Sequence, residues 1–518
     1  MTACWLNLGE ILKVNAKKYP RNICLSDDER SFTFPETNRR ARKLANALLG
    51  LGLAKGDKVA VLSDNAIEFC EIYFAAAKAG LVVGPPNFRL VAKELQFVVD
   101  DSDAKAFIVM DEFAPTVDAI RSDLPKIQGD RYLVFGGSRE GYRGYEELLE
   151  SGDDREPEVD VRPEDPWILL YTSGTTGRPK GALRSHESYV AFYLINGVDF
   201  GFKPSDVCLT VMPLCHVNTT FFSFTVTYVG GGNHIHSARS FKAERLLETI
   251  QDHKITFISL VPTHYNLIFL LPEEVRSRYD VSSIRKLLCS SAPARSELKE
   301  KVADYFKGVE LFEGYGSTEA GIVTTLFPDE QFTKVGSIGR ESCGTDIVKI
   351  LDEEGNEVPQ GEVGELYSRG PMMFTEYYKL QELTAKAFKG DYFSAGDMAR
   401  MDEDGYYYLV DRKNNMIITG GENVFPSEVE DIICKHPAVY DVAVIGLPHE
   451  KWGEEVTAVV VKRPSWDVSA TKLTEFCRDK LAAYKRPKRI IFITDDEMPR
   501  TATGKNLHRI LRERFGRI

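Results

Sequence analysis

At its centre the sequence reads Tyr171-Thr172-Ser173-Gly174-Thr175-Thr176-Gly177-Arg178-Pro179-Lys180-Gly181, directly after the apolar run Trp167 to Leu170. Glycines let the main chain come close to an anion and turn its N–H groups toward it. The hydroxyls of this stretch add hydrogen-bond donors, and Lys180 adds a positive charge that needs no fixed geometry. An ordinary solvated strand-to-helix turn is the alternative, since Gly, Ser and Thr are common in turns. The order favours a polyphosphate site, and its spacing excludes the G-x-x-x-x-G-K-[ST] motif of P-loop NTPases.

The same stretch resembles the phosphate-loop signature of the adenylate-forming superfamily. That superfamily includes acyl-CoA and aryl-CoA synthetases, peptide-synthetase adenylation domains and firefly luciferase. The resemblance implies that the loop binds the phosphates of ATP through Thr172, Ser173, Gly174, Thr175, Thr176 and Lys180. It also implies a Mg²⁺ ion held by Thr176 and Glu319.

The composition describes a globular chain whose main function is not nucleic-acid binding. Its 518 residues are 43% hydrophobic, which is enough for a large core, and 65 basic against 77 acidic residues give a net charge of -12. The end of the chain differs, because residues 478–518 hold twelve Lys and Arg against five Asp and Glu. Such a basic segment suits a solvated surface or a ligand that carries several phosphates.

Cysteines and apolar runs predict the cellular compartment. Nine cysteines are scattered without a C-x-x-C pair, so neither a disulfide framework nor a zinc site is indicated. The N-terminus lacks a basic region followed by an apolar core, and no window reaches the roughly 18 apolar residues of a membrane span. We therefore expect a cytoplasmic protein with no integral membrane segment. The oligomeric state stays open.

Short apolar segments alternate with helical patterns through most of the chain. Strands are expected at Val59 to Leu62, Trp167 to Tyr171 and Val309 to Phe312, among others, with helices between them. This alternation predicts mostly parallel sheets that are covered on both faces.

The pattern of expected strands, helices and turns changes toward the C-terminus. Short strands and turns after Gly336 predict a β subdomain, and a compact α+β unit with a helix from Ala470 to Ala483 is expected from about Met416. The predicted fold class is therefore α/β. We expect a large N-terminal domain of layered sheets with a β subdomain, residues 1–413, and a small mobile α+β domain, residues 414–518.

A second motif, Tyr315-Gly316-Ser317-Thr318-Glu319, follows the expected strand Val309 to Phe312. Ligands of open α/β sheets bind at the carboxyl ends of strands. By resemblance, Tyr315 stacks on adenine, Thr318 contacts the α-phosphate and Glu319 holds the Mg²⁺ ion. A hard divalent cation prefers carboxylate and phosphate oxygens, which agrees with that role. The resemblance assigns the remaining nucleotide contacts in this region to Ser291, Ala292 and Glu313.

Two further elements complete the nucleotide site in the resemblance. Ser394-Ala395-Gly396-Asp397 and Asp411-Arg412 are similar to the family's Thr-Gly-Asp and Asp-Arg elements, with Ser394 in place of the usual threonine. Asp397 and Arg412 are thereby assigned to the nucleotide, and a carboxylate is well shaped to accept both ribose hydroxyls. Lys505, which follows Pro499-Arg500-Thr501, resembles the family's catalytic lysine. A positioned ammonium group stabilises the negative charge that gathers on the α-phosphoryl oxygens.

The acyl acceptor is predicted from the C-terminal residues. Gly420 and Gly421 begin a stretch that is similar to the loop of the pantetheine channel in CoA ligases. Lys485, Arg486 and Lys488 resemble the segment that holds the CoA nucleotide, and Arg89 is assigned with them. Asn414 occupies the hinge position, where relatives mostly carry Asp or Lys. In the family, rotation at this hinge exchanges the catalytic lysine for the glycine loop.

The acid itself is predicted only as a class. His216 resembles the residue beside the substrate carboxylate, and the substrate pocket is assigned to Val217, Asn218, Phe221, Gly314 and Gly316. Relatives that activate amino acids carry Asp where Val217 stands, and relatives dedicated to acetate carry Trp where Gly316 stands. A medium-chain or long-chain fatty acid, a carnitine-like acid, or an alicyclic or aromatic acid is therefore expected. Aromatic residues at the spacing of Phe221 are also common in ordinary cores.

The leading hypothesis is a Mg-ATP-dependent acid:CoA ligase that forms an acyl-AMP, releases pyrophosphate and transfers the acyl group to CoA. One alternative is an acyl-AMP synthetase that acylates a carrier protein. Another is a non-catalytic module that binds an acyl nucleotide. The small-molecule partners expected from the first hypothesis are ATP, CoA and a carboxylic acid, with no bound prosthetic group.

Overall fold

The computed structural model describes residues 7–172, 179–237, 239–290, 294–420, 422–464, 466–501 and 506–516. The chain forms two compact units. The first contains Met1–Ile347 and Ser368–Phe393, and the second contains Val348–Tyr367 and Ser394–Ile518. The expected boundary between residues 413 and 414 is defined by rotation of the C-terminal domain between the two half reactions. It stays a prediction.

The strands of the described residues are β1 (Ile23–Ser26), β2 (Ser31–Thr33), β3 (Lys58–Leu62), β4 (Val82–Gly84), β5 (Ala104–Met110), β6 (Tyr132–Phe135), β7 (Arg143–Gly144), β8 (Pro166–Thr172), β9 (Lys180–Ser185), β10 (Val207–Thr210), β11 (Gly232–Ile235), β12 (Phe257–Leu260), β13 (Lys286–Cys289), β14 (Glu310–Ser317), β15 (Gly321–Leu326), β16 (Arg340–Glu341), β17 (Lys349–Leu351), β18 (Gly364–Tyr367), β19 (Glu376–Tyr377), β20 (Phe388–Lys389), β21 (Tyr392–Phe393), β22 (Asp397–Met401), β23 (Tyr407–Arg412), β24 (Ile417–Thr419), β25 (Glu422–Val424), β26 (Val439–His449), β27 (Gly453–Lys462) and β28 (Arg489–Ile493).

The α-helices of the same residues are α1 (Gly9–Lys18), α2 (Phe34–Gly50), α3 (Ile67–Ala79), α4 (Ala92–Asp101), α5 (Ala114–Asp118), α6 (Tyr145–Ser151), α7 (His186–Asp199), α8 (Val217–Tyr228), α9 (Ala243–Asp252), α10 (Pro262–Leu270), α11 (Glu273–Arg276), α12 (Ser296–Tyr305), α13 (Gln381–Lys386), α14 (Pro426–Cys434), α15 (Ala470–Phe476) and α16 (His508–Phe515). Among the described residues, none of these helices has the length and apolar character needed to cross a bilayer.

Local sequence signals place several of these elements. The start of α2 is fixed by Thr33, whose hydroxyl accepts from the Glu36 N–H while Glu36 Oε2 accepts from the Thr33 N–H, and Pro35 occupies the first turn. Every residue of helix α3 is buried, including the charged Glu68, Glu71 and Lys78. Its Tyr73 packs on Trp167 of β8 and on Phe224 of α8. One core therefore joins elements of the two large sheets.

The first unit contains two large sheets that are parallel in their centres. The nine-stranded sheet has the order β16-β15-β14-β13-β12-β10-β11-β1-β2, with parallel pairing from β14 to β1 and antiparallel pairing at both edges. The eight-stranded sheet has the order β19-β9-β8-β4-β3-β5-β6-β7, with β9 antiparallel to both of its neighbours. The predicted α/β class with mostly parallel sheets is confirmed.

The second unit contains two smaller sheets. Strands β17, β18, β22 and β23 form an antiparallel sheet. Strands β25, β24, β27 and β26 form another, to which β28 adds in parallel beside β27. Helices α14 and α16 contact β26. This unit thus combines the expected β strands with the expected α+β element.

Two elements differ in length from the sequence expectation. The strand expected to end at Phe312 runs on to Ser317 as β14. The helix expected to reach Ala483 ends at Phe476, after which the main chain continues in turns. The first difference matters for the site, because it places Tyr315 and Gly316 within a strand instead of after one.

Candidate active site

The two ends of the predicted phosphate loop are paired with each other. Strands β8 and β9 are antiparallel, with Thr172 opposite Lys180 and Tyr171 opposite Gly181. The loop therefore joins two strands of one hairpin and is not the strand-to-helix turn considered as its ordinary alternative. The predicted contacts at Ser173, Gly174, Thr175 and Thr176 lie outside the described residues.

Lys180 and Glu319 are linked through a tyrosine. The Lys180 ammonium lies 4.2 Å from the centre of the Tyr377 ring, and the Tyr377 hydroxyl donates to Glu319 Oε1 at 2.7 Å. Tyr377 belongs to β19, where it pairs with Ala182 of β9. The structure thus brings together the phosphate-loop lysine and the predicted metal carboxylate, which are far apart in the sequence.

A buried arginine fixes the main chain at Glu319. The guanidinium of Arg184, on β9, donates to the carbonyls of Thr318 at 2.6 Å and Glu319 at 3.4 Å, and also to the carbonyl of Met372. Arg184 is fully buried, and this burial lowers its pKa to about 10 while the Glu319 carboxylate partly compensates its charge. The turn that carries Thr318 and Glu319 is therefore held by two main-chain contacts from one side chain, and a third contact links that side chain to Met372.

Phe221 supports this arginine from the core. Its ring stacks on Phe192 with centroids 3.9 Å apart, and the Arg184 guanidinium lies 4.8 Å from its centroid. Phe221 is buried in the main core cluster. These contacts agree with the alternative interpretation that Phe221 is an ordinary core residue. Its role in the acyl pocket stays a prediction.

The residues around Tyr315 lie at the end of β14. The Ser317 hydroxyl accepts from the N–H groups of Glu319 at 3.2 Å and Ala320 at 2.9 Å, which closes the turn into β15. Glu313 forms a buried ion pair with Lys299 and accepts from the Ala294 N–H at 3.2 Å. Burial raises the pKa of the Glu313 carboxyl, and Lys299 opposes that rise. Ser291 and Ala292, the other predicted nucleotide contacts here, lie outside the described residues.

Gly314 and Gly316 differ in what a side chain would meet. A Cβ built at Gly316 would lie 2.0 Å from the carbonyl oxygen of Gly321 on β15, whereas at Gly314 it would lie 3.0 Å from Cδ1 of Ile322. Glycine at position 316 is therefore required by the close approach of the two strands. The predicted pocket role of both glycines is a separate matter and stays a prediction.

Polar groups from helix α8 and from two neighbouring strands meet close to His216 in the sequence. Asn218, in the first turn of α8, donates to Ser290 Oγ at 2.9 Å and accepts from Ser259 Oγ at 3.0 Å. Ser259 lies in β12 and Ser290 directly follows β13. The carboxyl ends of parallel strands share one edge of the sheet, so this cluster lies where ligands of such sheets bind.

His216 presents an unpartnered nitrogen. Its Nε2 is buried and has no hydrogen-bond partner within the described ranges. Burial and, to a smaller extent, the positive charge of Arg89 lower the pKa of His216 to about 4. Burial also lowers the pKa of His264 to about 4, with a smaller contribution from the same arginine. His216 is therefore a neutral imidazole at pH 7 and can donate or accept at Nε2. Val217 follows it as the first residue of α8 and is partly exposed.

In the second unit, Asp397 and Arg412 form an ion pair across two strands. Their registered positions on β22 and β23 are opposite, and Arg412 Nε lies 2.6 Å from Asp397 Oδ1. Arg412 also donates to the Ala395 carbonyl at 2.8 Å. Asp397 is buried, so its carboxylate lies in a poorly solvated position beside this arginine.

The predicted hinge and glycine loop lie in tight turns. Residues Lys413–Asn415 form a 3-10 turn, and the side chain of Asn414 lies outside the described part of the chain. Gly420 has a φ of 61° in the hairpin between β24 and β25, and its N–H donates to the Trp452 carbonyl at 2.8 Å. A positive φ suits glycine in a two-residue hairpin. Gly421 is outside the described residues.

The predicted CoA cations of the second unit each bond to a different partner. Lys485 donates to both carboxylate oxygens of Glu428 at 2.7 Å. Arg486 Nε donates to the Leu481 carbonyl at 2.8 Å, and Lys488 Nζ to the Ala483 carbonyl at 3.1 Å. Each of these contacts is local to the second unit. Lys505 lies outside the described residues, so its role stays a prediction.

Sequence reasoning missed Tyr377 and Arg184. Arg184 had a signal, because it is a charged residue within the run Gly181 to Ser185 that continues from the phosphate loop. A buried charge of this kind is rare unless it is paired. Tyr377 had none, since it lies in a strand of two residues with no motif around it.

Comparisons with known proteins cover nearly the whole chain. The family model described as "AMP-binding enzyme" matches residues 12–378, and the one described as "AMP-binding enzyme C-terminal domain" matches residues 428–505. The long-chain-fatty-acid–CoA ligase FadD13 of Mycobacterium tuberculosis is 36% identical over 522 residues, which is 98% of each chain. A feruloyl-CoA synthase of Amycolatopsis sp. is 36% identical over 503 residues, 97% of each chain.

A solved structure agrees with these sequence matches. The anthranilate CoA ligase AuaEII, crystallised with anthranoyl-AMP, superposes with a TM-score of 0.88 at 30% identity. The match covers 98% of this chain and 97% of that one. Sequence and fold therefore agree over both compact units.

Proposed function

We propose that this chain, which belongs to the family of AMP-binding enzymes, is an ATP-dependent acid:CoA ligase. In the first half reaction an oxygen of the acid bonds to the α-phosphorus of ATP, and the bond from that phosphorus to pyrophosphate breaks. In the second, the sulfur of CoA bonds to the acyl carbon, the bond to AMP breaks, and the thiol proton leaves to solvent. The proposal rests on the sequence similarity to two CoA-forming enzymes, which extends over 97–98% of this chain and of each relative.

The first half reaction gathers negative charge at the phosphates. Lys180 lies over the Tyr377 ring at the start of β9, the second strand of the β8–β9 hairpin. We assign Lys505 to the α-phosphate and the reacting carboxylate, where an ammonium group stabilises the transition state more than the ground state. Thr318 is assigned to the α-phosphate, Tyr315 to adenine, and Asp397 with Arg412 to the ribose.

Glu319 is the residue that fits a Mg²⁺ ion. Its carboxylate is a hard oxygen ligand, it is nearly buried, and its Oε1 is oriented by the Tyr377 hydroxyl. Thr176 is proposed as the second protein ligand. Bound to ATP, the ion would neutralise charge on the phosphate oxygens.

The acid is proposed to bind beside His216. A neutral imidazole with an unpartnered Nε2 can hydrogen-bond the substrate carboxylate, and Asn218, two residues later, adds polar groups. The relatives named above act on a long-chain fatty acid and on ferulate, so the fatty and the aromatic classes are both supported. A single methylene changes binding by only about 1–3 kcal/mol, and many pocket linings produce that difference.

Coenzyme A is proposed to bind at the Gly420 hairpin and the basic C-terminal residues. Arg486, Lys488 and Arg89 supply charge for its phosphates, and Lys485 is positioned by Glu428. The basic balance of residues 478–518 supports this assignment.

The test is a pyrophosphate-release assay with Mg-ATP across hexanoate, palmitate, benzoate, ferulate, carnitine and an amino acid, with and without CoA. We expect one acid class to give CoA-dependent turnover, with the acyl-CoA identified by mass spectrometry. Pyrophosphate release and transfer to a carrier protein, with no acyl-CoA formed, would establish the alternative acyl-AMP synthetase. Binding of acyl-AMP without any turnover would instead establish the non-catalytic module.

Lys505→Ala should abolish adenylation and spare thioester formation. We expect acyl-AMP formation to fall at least about 100-fold, the loss typical of removing one charge-stabilising donor. Supplied acyl-AMP should still be converted to acyl-CoA at close to the wild-type rate, because the lysine is assigned to the first half reaction only. The matched control is Lys472→Ala, an exposed lysine of the same unit. Near wild-type adenylation in Lys505→Ala would refute the assignment.

A further inference from the structure

A second group of chemically active side chains lies outside the residues assigned to the reaction. Asp28 lies in the turn between β1 and β2, His234 in β11, and His253 directly after α9. Strands β1 and β11 are paired with Ser26 opposite His234. One ligand atom from each of the three side chains lies within 4.8 Å of the others. Three separate elements therefore converge on one point.

The two imidazoles face the same carboxylate oxygen. His234 Nε2 lies 3.6 Å from Asp28 Oδ1, and His253 Nε2 lies 4.0 Å from the same atom. The two rings lie against each other with centroids 3.8 Å apart. Both nitrogen-to-oxygen distances are longer than a hydrogen bond. The three donor atoms therefore surround a small gap.

His234 is oriented toward that gap. Its Nδ1 lies 3.1 Å from Ser26 Oγ, which fixes the ring. Its side chain is fully buried, and within the described ranges its Nε2 has no hydrogen-bond partner. A buried polar atom without a partner is costly unless a ligand satisfies it. A histidine held by one ring nitrogen and open at the other is the usual arrangement of a metal ligand.

Arg245 is the cation that faces Asp28. Its Nη2 lies 2.8 Å from Asp28 Oδ2, and its Nη1 lies 2.6 Å from Glu248. The arginine therefore occupies the outer oxygen, and the inner oxygen, Oδ1, faces the imidazoles. Glu248 shares the charge of Arg245, which reduces its repulsion of a second cation.

We propose that Asp28, His234 and His253 form a site for a transition-metal ion of the Zn²⁺ class. Two imidazole nitrogens and one carboxylate oxygen are the donors that such ions select. Bonds of about 2.0–2.2 Å at tetrahedral angles separate two donor atoms by roughly 3.3–3.6 Å. The two pairs that include Asp28 Oδ1 are 3.6 and 4.0 Å apart, and all donor atoms lie within 4.8 Å of one another. Rotation of the partly exposed Asp28 and His253 side chains must therefore bring them closer to bind the ion. A water molecule completes the four-coordinate shell.

The ion would cross-link three elements. It would tie the β1–β2 turn and the end of α9 to β11, near the edge of the nine-stranded sheet. A ligand that binds only the folded state raises the melting temperature. The site therefore stabilises the first unit.

The test is a Co²⁺ titration of the full-length, tag-free protein without nucleotide. We expect one equivalent of Co²⁺ to give the visible bands of a four-coordinate ion, and Zn²⁺ to displace it. Removing a residue that only hydrogen-bonds to a metal ligand typically weakens metal binding by about 10-fold to 100-fold. Loss of a ligand itself should cost more, so His253→Gln and Asp28→Asn should each weaken Co²⁺ binding by at least about 100-fold. Both side chains are partly exposed, 36% and 49%, so these variants should fold.

Two control variants isolate the site. His449→Gln changes a histidine of the second unit, and Glu319→Gln changes the proposed Mg²⁺ ligand; both should keep the Co²⁺ bands. Zn²⁺ should raise the melting temperature of the wild type and the controls but not that of His253→Gln. The proposal is overturned if the wild type shows no saturable four-coordinate bands. It is also overturned if His253→Gln and Asp28→Asn bind Co²⁺ as the wild type does.

Discussion

At the scale of single residues, the candidate site depends on a side chain that no motif contains. Tyr377 lies between two residues that the motifs do contain, with its ring under Lys180 and its hydroxyl on Glu319. The ring and the hydroxyl have separable effects. The ring attracts the ammonium group through its face, whereas the hydroxyl orients a carboxylate.

Tyr377→Phe removes the hydrogen bond to the Glu319 carboxylate and keeps the ring beside Lys180. It should therefore weaken adenylation only through its effect on Glu319. A hydrogen bond to a charged group contributes about 1.5–3 kcal/mol, so we expect kcat/KM for pyrophosphate release to fall at least about 10-fold. The Mg²⁺ concentration for half-maximal rate should rise, because Glu319 is no longer held. Steady-state kinetics at varied Mg²⁺ measure both effects.

The neighbouring tyrosine is the control for that variant. Tyr378 donates its hydroxyl to Asp103 at 2.7 Å and does not contact Glu319. Tyr378→Phe should leave the Mg²⁺ dependence unchanged. Equal behaviour of the two variants would contradict the role given to Tyr377.

Residues of the site differ in how far the sequence could predict them. Lys180 and Glu319 belong to contiguous motifs, and the structure links them through Tyr377 as described. Tyr377 and Arg184 act through contacts between segments that are distant in sequence, and single-sequence patterns carry no such information. The roles of Ser173 to Thr176 and of Lys505 stay predictions.

At the scale of elements, β14 shows how one strand serves two neighbours. It is parallel to β13 as far as Glu313 and antiparallel to β15 from Glu313 to Ser317. The register shifts between Tyr315 and Gly316. Such an irregularity bends the strand and re-aims its side chains.

Gly316→Ala and Gly314→Ala form a matched pair on this strand. The added methyl at position 316 meets a main-chain oxygen, and at position 314 it meets the end of a flexible isoleucine. We expect Gly316→Ala to lower the free energy of unfolding by about 1–3 kcal/mol, and Gly314→Ala by about 1 kcal/mol or less. Urea unfolding of the two variants measures the difference. Equal losses would show that β15 moves easily to accept the methyl group.

The end of α15 shows why element boundaries escape prediction. Leu473, Cys477 and Leu481 are all buried at a spacing of four residues, so the helical pattern continues after the helix ends. Beyond Phe476 the N–H of Arg478 bonds to the Glu475 carbonyl and that of Lys480 to the Cys477 carbonyl, three residues back. These are turns, and their side chains fill the core as a helix would.

At the scale of the whole molecule, strand order follows from contacts between distant segments. Strand β1 pairs with β11, about two hundred residues later, and β9 pairs with β19 at a similar separation. The alternation of strands and helices predicted the fold class correctly because that pattern is local. It could not predict these pairings, since they depend on which surfaces meet after each element has formed.

The first unit should lose stability in acid partly through His186. This histidine is fully buried, and burial lowers its pKa from 6.5 to about 3. The unfolded chain therefore binds a proton that the folded chain does not, between these two values. The stabilising contribution is fully present above pH 6.5 and is lost as the pH falls toward 3. Its slope is about 1.4 kcal/mol per pH unit.

His186→Asn isolates that contribution. Asparagine keeps an acceptor for the Leu8 N–H, which bonds to His186 Nδ1 at 3.2 Å, but does not titrate. We expect its free energy of unfolding to fall less steeply than that of the wild type between about pH 6 and pH 4, by about 1.4 kcal/mol per unit. Urea unfolding followed by the fluorescence of Trp167, which packs on His186, measures both slopes. Parallel profiles would refute the assignment.

The pairing of Thr172 with Lys180 has a consequence for the length of the segment between them. Opposite residues of antiparallel strands keep their Cα atoms about 4.5–5.5 Å apart, so the β8–β9 ladder itself holds both ends of residues 173–179. Doubling the length of a closed loop costs only about 0.6 kcal/mol of chain entropy. The fold would therefore tolerate insertions between these ends almost without penalty. The sheet therefore does not require the seven-residue spacing; under the proposed function, the phosphates of ATP set it.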